Sequence, residues 1–140
     1  MSGRALELAV KAAVILGCLW VLWTAVRLQP DPRGVGTHEQ IGMASCGFLR
    51  ETGRPCITCG MTTSFVHMVR LQVPSAFDAS PAGMLLFLLM LATPPWLVHS
   101  MVTRRPALRF LATRWGRWGL ALLVAAIFVS WWWKAAMAAP

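Results

Sequence analysis

Three of the four cysteines of this chain fall in one polar stretch, Cys46, Cys56 and Cys59, while Cys18 lies in an apolar run and reads as a small buried hydrophobe. A C-x-x-C pair puts two sulfurs in one tight turn, an arrangement used for metal binding, a reversible disulfide or covalent haem attachment. Haem attachment requires His directly after the second cysteine; Gly60 stands there, so the haem motif is absent. For a metal, Cys46 adds a third thiolate, and a structural zinc site wants four ligands. His38 and His67 are the candidates for the fourth. On an unbroken helix from Cys59, His67 lies about 12 Å along the axis, whereas zinc–ligand bonds are about 2.3 Å or less. His38 sits in the flexible half of the stretch and can fold back, so Cys46, Cys56, Cys59 and His38 form the sharper zinc set. Met43, Met61 and Met68 would suit Cu(I), but near a membrane they read as apolar filling.

Redox chemistry is the second reading. A cysteine at a helix N-terminus has a stabilised thiolate, and Cys46 could resolve or receive a Cys56–Cys59 disulfide. No thioredoxin-like βαβ pattern surrounds the motif, and the four helices and second cysteine pair of a quinone-coupled thiol oxidase are missing. A fixed disulfide from Cys46 to Cys56 or Cys59, with one thiol left over, is the third. In an oxidising compartment it would compete with metal for the same sulfurs. Gly60 lets the backbone turn so that amides can face a sulfur, and Thr62 and Thr63 follow that turn. His67 shares a helix face with Thr63 and Cys59, either lining a polar cleft with Arg70 or forming the wet side of an amphipathic helix. No Ser-His-Asp set, phosphate loop or paired-carboxylate site is present, so no catalytic residue is assigned and the reading leans away from an enzyme.

The elements that position these residues follow from composition. The 140 residues are 57% hydrophobic and 13% charged, with eight tryptophans and no tyrosine, which excludes a disordered chain, a coiled coil and most soluble enzymes. Apolar runs at about 5–28, 82–102 and 117–137 are each long enough to cross a bilayer. No small-x-small site follows the first run, so it reads as a retained span. Ser80 and Pro81 suit the N-cap and first position of the second, in which Pro94 and Pro95 predict a kink or break near Ala92. Trp115, Trp118, Trp131, Trp132 and Trp133 bracket the third as interfacial belts.

The net charge of +8 lies beside apolar runs, without a base-stacking basic stripe, so it implies lipid headgroups and no nucleic acid. The arginines crowded into 103–117 place that loop and the N-terminus in the cytoplasm, with the 29–79 cysteine loop on the periplasmic or outer side. Within the loop, Thr37 and Gln40 fit a capping box for a helix from about His38 to Phe48. A helix of about 13 residues is expected after Gly60, too short to span at 1.5 Å per residue.

With the motif in place, the chain resembles a family of small bacterial membrane proteins of unknown function. That family carries a lone cysteine followed about ten residues later by P-C-x-x-C-G-x-T. The matching residues are Cys46 and then Pro55-Cys56-Ile57-Thr58-Cys59-Gly60-Met61-Thr62, and the resemblance covers roughly 36–100. The family often has Pro after the first motif cysteine and a basic residue after the Thr; Ile57 and Thr63 stand here. The resemblance implies an integral membrane protein with a cysteine module and no particular substrate.

The expectation is therefore one all-α membrane domain over 1–140, with three transmembrane helices plus a short interfacial or re-entrant helix. In the bacterial inner membrane it would be a structural or accessory subunit with a zinc- or disulfide-locked loop. The alternative is a thiol-redox or metal-handling protein. Three helices bury little of one another, so a homo-oligomer or larger complex is expected, with small residues such as Ala121, Ala125 and Ala126 allowing close approach.

Overall fold

The computed structural model describes residues 3–103 and 113–137, and all regular structure in them is helical. Helices α1 (Gly3–Arg27), α5 (Pro81–Val102) and α6 (Arg114–Met137) contain segments long and apolar enough to cross a membrane. Their outward faces are apolar, with Leu16, Trp20, Val26, Leu91 and Leu122 all exposed. A hydrocarbon surround suits such a surface, because an α-helix satisfies its own backbone there. Lys11 of α1 is buried and ion-paired with Glu7, one turn before it, at 2.7 Å. The arginines at 104, 105 and 109, on which the orientation rests, lie outside the described residues.

Between α1 and α5 the chain builds a compact helical cap. Helix α5 starts as expected: Ser80 is the N-cap, its Oγ accepting from the Gly83 N–H at 3.2 Å, with Pro81 behind it. It then runs unbroken to Val102 through Pro94 and Pro95, so no break occurs at Ala92. The expected 38–48 helix is replaced by a 3-10 helix (Thr37–Ile41) and the short α2 (Gly47–Thr52). Gly42, in the left-handed region at φ 79°, ends the first piece. The capping box does not form, because both its members are committed elsewhere. Thr37 is fully buried, its Oγ1 accepting from the Asp31 N–H at 3.1 Å and bonding Thr63 Oγ1 at 2.8 Å. Gln40 instead clasps Gln29, donating to its carbonyl at 2.7 Å and accepting from its N–H at 3.1 Å.

The helix expected after Gly60 is also divided. Helix α3 (Met61–Val69) stops at Arg70, Leu71 turns with φ 59°, and α4 (Val73–Ala79) follows. His67 secures that turn, its carbonyl accepting from the Gln72 N–H at 3.0 Å and its Nδ1 meeting Gln72 Oε1 at 2.7 Å. At nine and seven residues, neither helix can cross a bilayer.

Helix α3 is the centre of the cap. Val66 is fully buried against Ala25 and Leu28, and Phe65 meets Phe87 edge-to-face at 5.5 Å. The buried Ser64 Oγ donates to the carbonyls of Ala76 (2.9 Å) and Ser80 (3.0 Å), tying α3 to α4 and the head of α5. Arg70 reaches back across the sequence to the carbonyls of Leu28 at 2.5 Å and Val66 at 3.0 Å. One of these lies just beyond the last turn of α1, where carbonyls have no helical partner. Helix α6 leans on α5, and its Trp131 Nε1 donates to the Pro55 carbonyl at 3.3 Å. The C-terminal half of α6 thus lies at the same end of the molecule as the cysteines.

Candidate metal centre

The turn that carries Cys56 and Cys59 is fixed by backbone geometry. The Cys59 N–H donates to the Cys56 carbonyl at 3.1 Å, and the Met61 N–H to the Thr58 carbonyl at 3.2 Å. Gly60 then adopts φ 83°, a left-handed conformation that favours glycine, and serves as the N-cap of α3. This brings the Sγ atoms of Cys56 and Cys59 to 3.0 Å. Cys46 arrives from the other side as the N-cap of α2. The three Sγ atoms all lie within 4.8 Å of one another, and no nitrogen or carboxylate oxygen of another described residue joins that group. All four cysteines are thiols, Cys18 half-buried and far along the chain in α1.

The two motif thiols differ sharply in acidity. Burial pushes Cys56 up, but hydrogen bonds to its sulfur from Thr58, Cys59 and Cys46 outweigh it and hold it at about 7. Burial pushes Cys59 up to about 12, reinforced by its hydrogen bond to Cys56. The helix-terminus argument favoured the cysteine nearest α3. In that residue burial prevails, whereas in Cys56 the hydrogen bonds do. Backbone hydrogen bonds reach both sulfurs, from Thr58 to Cys56 and from Cys56 to Cys59.

His38 stands near the sulfurs without joining them. Its Nε2 is 3.2 Å from the Ala44 carbonyl, and it lines a cavity of about 230 Å³ together with Arg33, Glu39, Cys46, Arg50 and Cys59. Thr63 faces away from the sulfurs into its buried bond with Thr37, and His67 is spent on Gln72. Arg70, the other residue of that face, donates to the Leu28 carbonyl at the end of α1. Thr62 is half-buried one turn from the motif.

Sequence reasoning missed the Arg33 fork, which grips Asp31 at 2.8 Å and Glu39 at 3.1 Å on the cavity's edge. The only signal for it was the Asp31-Pro32-Arg33 spacing. It also missed the Thr37–Thr63 bond, which no local pattern announces.

Three thiol sulfurs converging from two segments make a soft donor set, and such a cluster could hold a metal ion. No curated protein and no solved structure matches this chain. The stretch that carries all three clustered cysteines, residues 46–93, matches the family described as Protein of unknown function (DUF2752), in keeping with the resemblance read from the cysteine signature.

Proposed function

We propose that this is a small integral membrane protein, a single domain over 1–140, whose 29–79 loop is locked by a zinc ion on Cys46, Cys56 and Cys59. Its role is structural or accessory within a membrane assembly. One observation carries the reading: three sulfurs, one of them ten residues away in sequence, lie within 4.8 Å of one another. A tetrahedral zinc with bonds of about 2.3 Å places its sulfurs about 3.8 Å apart, inside that limit and wider than the 3.0 Å between Cys56 and Cys59, which would open to admit it. The donor set favours zinc over harder ions. Dense arginines in 103–117 support a bacterial inner-membrane placement with the N-terminus inside and the loop outside. The small residues Ala121, Ala125 and Ala126 on α6 support assembly with further copies or other chains, because they allow close helix approach.

A thiol-redox function is the second reading. The split acidities favour it, since Cys56 at about 7 would be the nucleophile and buried Cys59 at about 12 its partner.

Full-length protein purified anaerobically in detergent separates the two. The zinc reading expects about one zinc per chain by elemental analysis, lost in Cys46→Ser together with much of the protein's abundance. Metal-free wild type, with normal abundance of Cys59→Ser and a trapped mixed disulfide on Cys56, would replace it with the redox reading.

A further inference from the structure

The cavity beside the cysteines is lined by Cys46 and Cys59, two of the three clustered thiols, and also by Arg33, His38, Glu39 and Arg50. A zinc with three protein ligands and a fourth position open to a cavity is the arrangement of reactive rather than closed sites. Closing it internally falls to His38, whose Nε2 already meets the Ala44 carbonyl at 3.2 Å and whose ring is outside the sulfur group.

Charge narrows what could enter. Three thiolates and a divalent ion sum to a single negative charge, and a soft ion on sulfur prefers a further sulfur ligand. A fourth thiolate deepens the negative charge and needs a cation nearby. Arg33 is occupied by Asp31 and Glu39. The Arg50 side chain has no ion pair among the described residues and lines the same cavity. Its planar fork suits a carboxylate. The cavity, at about 230 Å³, is below the usual range of drug-sized sites.

The geometry points to a binding site for a small carboxylate-bearing thiol, its sulfur taking the fourth position on the metal and its carboxylate meeting Arg50. This inference rests on the metal reading. The bond formed is sulfur to metal; the bonds broken are S–H, whose proton passes to solvent, and the metal's bond to the water that the sulfur displaces; no electron is transferred.

The test uses the full-length chain in detergent, loaded anaerobically with Co(II). Mercaptoacetate should change the visible d–d bands saturably with the cobalt retained, while S-methyl mercaptoacetate leaves them unchanged. Arg50→Ala should weaken mercaptoacetate about tenfold, the scale of one lost charge-assisted hydrogen bond, and leave 2-mercaptoethanol unaffected. Should that variant misfold, wild type decides: mercaptoacetate should bind about tenfold tighter than 2-mercaptoethanol, and equal affinities would remove the carboxylate contact. Bands insensitive to every thiol until His38→Ala opens the site would overturn the inference while keeping the metal. So would cobalt stripped off without a ternary spectrum. Equal weakening of both thiols by Arg50→Ala would remove the carboxylate contact. Failure to bind cobalt at all would bring down the metal reading itself.

Discussion

Replacing Gly83 by alanine adds one methyl group at the closest approach of α5 to α3. The new Cβ would sit 2.9 Å from Ser64 Cβ, 3.0 Å from Met61 Cα and 3.2 Å from the Met61 carbonyl oxygen. Comfortable carbon–carbon contacts are about 3.5–4.0 Å, so the neighbours must retreat by half an ångström or more. They cannot do so by rotating a side chain. Two of the three atoms are backbone, and Ser64 is held through its hydroxyl to Ala76 and Ser80. Overpacking of this kind costs about 1–3 kcal/mol. Alanine returns at most about 1 kcal/mol of helix propensity, less near a helix start. The net expectation is destabilisation by about 1–2 kcal/mol, read as the midpoint shift of a reversible SDS titration of the purified protein. Gly119→Ala in α6 is the matched control, because a Cβ there has nothing within 4 Å. It should be neutral or mildly stabilising. A Gly83→Ala protein as stable as wild type, or shifted no more than Gly119→Ala, would refute the close-packing argument.

Two further outcomes are expected. In the reduced, metal-free protein, Cys56 at about 7 is roughly half thiolate at neutral pH, against about 3% for an ordinary thiol. Its alkylation by iodoacetamide should rise through pH 7 and level off above pH 8 while Cys59 stays nearly inert; peptide mass spectrometry reads both rates, and a Cys56 midpoint near 9 contradicts the hydrogen-bond account. Arg70→Ala leaves the Leu28 and Val66 carbonyls without their charged donor and should cost about 1.5–3 kcal/mol in the same SDS titration, with Arg70→Lys recovering part of it; an unshifted midpoint would mean that water replaces the guanidinium at no loss.

What could be read in the sequence was what one segment decides alone. The spans are legible because the bilayer demands long uncharged runs. The start of α5 is legible because Ser80 and Pro81 act within a single turn. The 37–60 region was misread because distant partners outbid local ones. Thr37 looked like a helix cap, yet its hydroxyl is claimed by Thr63, 26 residues on. Gln40 is claimed by Gln29, eleven residues back. Leu71 gives no local hint of a positive φ, so the end of α3 had no signature. The pairing of Cys56 with Cys59 followed from spacing. The arrival of Cys46 beside them depends on where α2 is carried by the whole cap, which no periodicity encodes.

The bond from Trp131 to the Pro55 carbonyl has a mechanical meaning. Spanning helices accommodate changes in bilayer thickness by tilting, and interfacial tryptophans follow the headgroup plane as they do so. An indole fastened to the residue immediately before Cys56 is pulled by two masters, the lipid boundary and the loop. Where a thinner or thicker membrane tilts α6 against the cap, that tie breaks or the turn carrying the first motif sulfur is strained. Through that tie, bilayer thickness would bear on the geometry of the cysteines.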